Sequence, residues 1–218
     1  MLVDLARKSF QTSPLNPSDS PDTIAKLEEL RLLLKSVPLS ELGITDKSKK
    51  KLKDNSATYI HIYEDTVFSL GIFCLPAGSA IPLHDHPHMS VLTRVLYGQL
   101  EVDSYDWKDG KGSRPGTVEE SQNGGREVVH VLDSQQVGPD NCPLVLLPNG
   151  GGNIHSFKAI THCAVLDLIV PPYDAQNGRG CTYYTKRQDA DGRILMQKLV
   201  PEPTVEIDNR PYGGVVVK

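Results

Sequence analysis

The sequence predicts an all-β domain, a sandwich or barrel of short strands, with helices only on its N-terminal side. Three observations carry this. From Thr58 onward the chain breaks into short runs rich in β-branched and aromatic residues, among them VFSLGIFCL, SVLTRVLYG, QLEVDSYDW and CAVLDLIV. Gly, Pro, Asn and Asp separate these runs, which is how strands and turns alternate in sandwiches and barrels. No helical pattern is interleaved with them, which argues against a parallel sheet with crossover helices.

Ahead of the strands, residues 1–20 are polar and rich in Ser and Pro, and read as a loosely ordered lead-in to a single domain over 21–218. SPDTIAKLEELRLLLKS then reads as a helix. Ser20 suits its cap and Pro21 its first turn. Ile24, Leu27, Leu30 and Leu34 recur at helical spacing and predict one apolar face. PLSELG predicts a second short helix, stopped by Gly43. Residues 108–126, KDGKGSRPGTVEESQNGGR, are polar and Gly-rich and predict a surface loop. No internal repeat is present.

At 218 residues the chain is long enough for one domain with a sizeable core and short for two. A net charge of −4 gives no reason to expect nucleic acid or a membrane surface as partner. No apolar run reaches spanning length, and MLVDLARKSFQTS lacks a secretory pattern. The four cysteines, at 74, 142, 163 and 181, form no CxxC pair. A reduced setting follows, cytoplasmic and/or nuclear, with Cys74 and Cys163 as small buried apolar residues. No exposed apolar stripe demands a partner copy, so a monomer is expected.

The chemistry concentrates in PLHDHPHMS, residues 82–90. Alternate residues of a strand share a face, so His84 and His86 point one way and Asp85 the other. Two imidazoles so spaced can chelate one metal ion. Gly78, five residues, His84-x-His86 and then Gly98 resemble the first metal motif of the cupin family. Pro148-x-Gly150, Gly152 and His155 approximate the second. That resemblance implies a cupin jelly roll (a double-stranded β-helix barrel), with short helices packed outside and His155 as third ligand. The usual cupin glutamate ligand is missing, because Ser90 and Val91 stand where it would be. Asp85 and His88 are the remaining candidates, the first facing away and the second following Pro87 into a turn. His88 fits better as a substrate-facing group.

Three neutral imidazoles leave a divalent ion with its full charge, and imidazole suits iron, zinc, copper and nickel alike. An anionic ligand from the substrate would complete such a site, and a thiolate is a strong candidate. Oxidising a thiol to a sulfinic acid also supplies the four electrons that full reduction of O2 consumes. Such an enzyme needs no 2-oxoglutarate.

IPLHDHPHMSVLTRVLYGQLEVDSYDW and GGNIHSFKAITHCAVLDLIVPPY with CTYY resemble the two site segments of the plant cysteine oxidases. 2-Aminoethanethiol dioxygenase belongs to the same group. The similarity runs over about 22–212 and is strongest over 71–186. It implies one Fe(II) held by His84, His86 and His155, with O2 as co-substrate. It implies oxidation of N-terminal cysteine in proteins or peptides to the sulfinic acid, and a role as oxygen sensor in the N-degron response to hypoxia. Some relatives oxidise cysteamine. It further implies that Asp167 and Tyr173 act in catalysis and substrate binding, and it makes Cys181 and Tyr183 a candidate cross-linked pair. Each of these four also has a plain structural reading, as a hydrogen-bond anchor or as loop packing. Asp167 stands out without any resemblance, because a carboxylate in the apolar run CAVLDLIV is costly unless paired.

Other features carry less. PNGGGN lacks the lysine and helix of a phosphate loop and reads as the turn that delivers His155. His61, His130 and His162 stand singly in β-type runs, and Trp107 reads as packing. Arg94 could bind a substrate carboxylate if it faced a cavity. Two rival functions remain on the same barrel, a dioxygenase of small thiols such as cysteamine and a metal-binding sensor without activity.

Overall fold

A computed structural model describes residues 2–11, 21–45, 57–110, 112, 125–204 and 206–215. Among these residues two helices, α1 (Leu2–Gln11) and α2 (Pro21–Ser36), precede the strands. These are β1 (Ala57–Glu64), β2 (Ser69–Leu75), β3 (Ala80–His84), β4 (Ser90–Tyr97), β5 (Leu100–Trp107), β6 (Arg126–Val137), β7 (Leu144–Leu146), β8 (Ile154–Ala159), β9 (Cys163–Val170), β10 (Tyr184–Gln188), β11 (Ile194–Lys198) and β12 (Ile207–Arg210). They form two six-stranded sheets in the orders β12-β1-β2-β9-β4-β7 and β10-β11-β6-β5-β8-β3. Every pairing is antiparallel except β1 with β12. This is the cupin jelly roll.

β9 explains the layering. A strand covered on both faces reads as a continuous apolar run, because alternation brings no solvent face. Its even residues, Ala164, Leu166, Leu168 and Val170, join Phe68, Leu70, Ile72 and Leu92 in a core beneath the helices. Its odd residues, Cys163 and Val165, join Leu100, Val102, Phe157 and Ala159 between the sheets. Asp167 belongs to the odd set and therefore faces the barrel interior.

α2 lays Thr23, Leu27, Leu30 and Leu34 on this outer core. Ile24, expected on that face, is 47% exposed. At about 100° per residue it lies roughly 90° from the centre of the stripe that Thr23 completes. Basic side chains fasten the helix: Arg31 Nε donates to Pro143 O at 2.7 Å, and Lys35 Nζ donates to Pro139 O at 2.6 Å. Arg94 Nη1 donates to Leu34 O and Val37 O, each at 2.6 Å, which satisfies carbonyls the helix end leaves open. Arg94 is thus committed to α2 and is no carboxylate receptor for the site.

Other expectations need correction. The lead-in is not loose throughout, since residues 2–11 form α1 and bury Val3, Ala6 and Phe10, with the Phe10 ring 5.5 Å from that of Phe68. A short amphipathic stripe outweighs the Ser/Pro-rich residues that follow it, which lie outside the described residues together with the Ser20 cap. PLSELG makes consecutive turns rather than a helix, closed by Gly43 at φ +69°. Most of 108–126 also lies outside the described residues, although Arg126 already belongs to β6.

Candidate metal centre

His84 and His155 are directly paired across β3 and β8. His86 lies beyond the end of β3, so strand alternation alone does not aim it. The buried amide of Asn153 does: its Oδ1 accepts from His86 N at 3.1 Å, and its Nδ2 donates to His86 O at 3.0 Å and Leu147 O at 3.1 Å. Asp106 Oδ1 in turn accepts from the backbone N–H groups of Gly152 and Asn153 at 3.0 and 3.1 Å. The PNGGGN segment thus forms the turn expected to deliver His155.

One ligand atom from each of His84, His86 and His155 lies within 4.8 Å of the other two. All three side chains are buried. Burial holds all three imidazoles below the usual histidine range, and the neighbouring rings push His86 and His155 lower still. Neutral imidazole is the form that binds metal. Nδ1 of His84 lies 2.8 Å from Pro82 O and that of His86 lies 3.4 Å from Asn153 O, leaving Nε2 of each for an ion. This donor set, three neutral nitrogens with the second ring atoms of His84 and His86 tied to backbone, fits a divalent transition metal.

The other candidates take distinct places. Asp85 is buried but outside the cluster. Its Oδ1 accepts from Thr182 N at 2.9 Å, its Oδ2 from Tyr184 OH at 2.8 Å, and its carbonyl from Tyr173 OH at 2.9 Å. It ties the histidine loop to the segment that follows β9. His88 sits exposed at φ +59° in the turn after Pro87 and is not brought to the cluster, because that turn ends the strand alternation that would have aligned it. Tyr173 packs its ring 5.4 Å from that of His86, and Tyr183 lies 6.0 Å from His84. The Cys181 thiol is in hydrogen-bond contact with both phenols, and burial pushes it up to about 11.

Asp167 lies 8% exposed and accepts Thr93 Oγ1 at 2.6 Å through Oδ1. Burial pushes its carboxyl up to about 6, against the lowering effect of that hydrogen bond. Asp167 and Tyr173 line one cavity of about 410 Å³, together with Tyr59, Glu64, Phe73, Ile169, Ile207 and Asn209. Its polar groups include two carboxylates and an amide, and among the described residues no lysine or arginine lines it. Asn153, Glu64 and Asn209 escaped the sequence reading. Asn153 carried a signal, an amide two residues before a ligand histidine. Glu64 and Asn209 carried none, since only the pairing of β1 with β12 brings them together.

The remaining residues are structural. The Trp107 ring lies under the Arg126 guanidinium at 4.1 Å, His130 packs on Tyr105 at 4.4 Å, and His162 Nδ1 accepts from Ala77 N at 3.2 Å. Exposed His61 packs 6.3 Å from Tyr59.

A jelly roll carrying three converging histidines and no acidic ligand among them defines the class of protein. A family model described as PCO_ADO matches residues 22–209, and the chain belongs to that family. It is 37% identical over 168 residues to plant cysteine oxidase 1 of Arabidopsis thaliana, covering 73% of this chain and 54% of that protein. It is 36% identical over 186 residues to 2-aminoethanethiol dioxygenase of Homo sapiens, covering 79% and 68%. A cupin superfamily protein from Desulfitobacterium hafniense has a TM-score of 0.35 at 8% identity, covering 63% of this chain and 93% of that one.

Proposed function

We propose that this chain is an Fe(II)-dependent thiol dioxygenase of the cytoplasm or nucleus. It oxidises the N-terminal cysteine of protein substrates to cysteine sulfinic acid and so reports oxygen to an N-degron pathway. RSH and O2 combine to RSO2H, with all four electrons drawn from sulfur, so no 2-oxoglutarate is consumed. Fe(II) held by His84, His86 and His155 would supply the one-electron chemistry that lets a closed-shell thiol react with O2.

The observation that carries the reading is the cavity lined by Asp167 and Tyr173, the latter with its ring 5.4 Å from that of His86. Asp167 and Glu64 favour an ammonium group there, and among the described residues no lysine or arginine lines the cavity to pair with a free α-carboxylate. An N-terminal cysteine in a peptide has the amine and lacks that carboxylate, whereas free cysteine has both. The volume, about 410 Å³, suits more than a two-carbon aminothiol. Burial keeps the Tyr173 phenol protonated, so it orients the substrate as a neutral hydrogen-bonding group. Cysteamine satisfies the same charge rule and is the second reading.

A short peptide with N-terminal cysteine, incubated with the Fe(II)-loaded protein under ¹⁸O2, should gain two labelled oxygens on that cysteine by mass spectrometry. The same peptide acetylated at its N-terminus should react at least tenfold more slowly. Oxidation of cysteamine with none of the peptide would move the assignment to small thiols. Failure of both with iron bound would leave a non-enzymatic sensor.

A further inference from the structure

The geometry points to Ser104 as the hydrogen-bond acceptor that fixes the tautomer and orientation of the third metal ligand, His155. This rests on the three-histidine metal reading, but not on which thiol is oxidised.

Cross-strand pairs on the inner face of β5 and β8 form a column: Leu100 with Ala159, Val102 with Phe157, Ser104 with His155. The first two pairs are apolar and belong to the inter-sheet core. Ser104 places a hydroxyl in the next layer, 2% exposed, where an aliphatic residue would pack as well. Its Oγ has no hydrogen-bond partner, nor has Nδ1 of His155, which is also 2% exposed. Two unpartnered buried polar atoms thus stand on directly paired residues. The other two histidines each have a carbonyl at Nδ1, and His155 alone does not.

When Nε2 binds a cation, Nδ1 carries the proton and needs an acceptor. A hydroxyl rotates freely and both donates and accepts, so Ser104 can meet that need by a change of rotamer. Gly152, at φ +85°, leaves room for that hydroxyl. Its backbone lies so close that an added Cβ would land on Ser104 Oγ. The ring of His155 is held in place by stacking on Phe157, 4.5 Å away at 19°. Ser104 is therefore a positioning residue that acts through His155.

The test is metal affinity without any thiol present. Fe(II) and Zn(II) are titrated against a chelator with the wild type and with Ser104→Ala and Ser104→Thr. The expected result is about 10–100-fold weaker binding for Ser104→Ala, with recovery in Ser104→Thr, which keeps the hydroxyl. In the Zn(II) form with ¹⁵N-labelled histidine, the His155 Nδ1 proton should be slowly exchanging in wild type and Ser104→Thr and lost in Ser104→Ala. Wild-type affinity and an unchanged resonance in Ser104→Ala would overturn the proposal. If that variant does not fold, Ser104→Cys, a weaker acceptor of similar size, should bind less tightly, and wild-type affinity there would equally overturn it. A wild type that binds neither metal would remove the metal reading and this inference with it. Failure to oxidise peptides, with the affinity difference intact, would count against the proposed substrate alone.

Discussion

Among the described residues the Asp167 side chain is held by one hydrogen bond, in a place where a carboxylate is costly. Burial pushes the carboxyl up to about 6 in the folded chain, against 3.8 for an ordinary aspartate. Its folded value is raised, so the folded state binds this proton more tightly than the unfolded state does. The penalty of the ionised form is therefore fully present above about pH 6 and is relieved as pH falls toward 3.8, amounting to about 3 kcal/mol at neutrality. Asp167→Asn should stabilise the protein relative to wild type at pH 7.5, with the difference shrinking by pH 5, as read by urea denaturation. Turnover should fall sharply in that variant while metal stays bound. If the carboxylate is what the substrate amine meets, wild-type activity should drop below about pH 6. Thr93→Val removes the only hydrogen bond the described residues give the Asp167 carboxylate, and should shift that acid limb upward by a measurable fraction of a pH unit.

At the scale of elements, α2 is held to the barrel by more than its apolar face. Arg94 reaches through from β4 to the carbonyls of Leu34 and Val37. Hydrogen bonds from a charged donor contribute more than neutral ones, so Arg94→Met, which keeps the stem, should cost about 2 kcal/mol in chemical denaturation. It should leave the KM for a peptide substrate unchanged, since Arg94 is outside the cavity lining; a raised KM would contradict that placement. The elements that the sequence reading placed best were those with a strong period: α2 through Leu27, Leu30 and Leu34, and β9 through its unbroken apolar run. α1 was hidden because its stripe is only three residues long. β12 was hidden because IDNR is polar and becomes a strand only by pairing with β1, a partner about 150 residues away in the chain. The histidines were legible because their spacing is itself the motif. Ser104 was not, because one serine in an alternating strand says nothing until its cross-strand neighbour is known.

For the whole molecule, the proposed metal would be linked to the fold. A ligand that binds only the native state stabilises it, by about 2.7 kcal/mol at one hundred times its Kd. For a chain of this size that corresponds to roughly 5–10 °C in Tm. Calorimetry of the iron-loaded protein should show a fall of that order on chelation, restored by Fe(II) or Zn(II). His155→Ala should show no such response, and a full shift in that variant would refute its place as ligand. The three histidines join elements from both halves of the sequence, so the stabilisation should appear as one cooperative transition, not as a separate local event.

β9 has a consequence for how this protein can change over time. Four of its side chains belong to the helix-covered core, and the alternate ones face the barrel, where Asp167 and Ile169 border the cavity. Such a strand has no idle position. In a library of random single substitutions, residues 163–170 should form the longest stretch in which nearly every change is lost, most for stability and those at Asp167 and Ile169 for activity. The solvent-facing half of α2, with Ile24 and Leu32 exposed, should accept almost anything. Adaptation to new substrates would then have to come from the rim, through Glu64 and Asn209, while the partition behind them stays as it is.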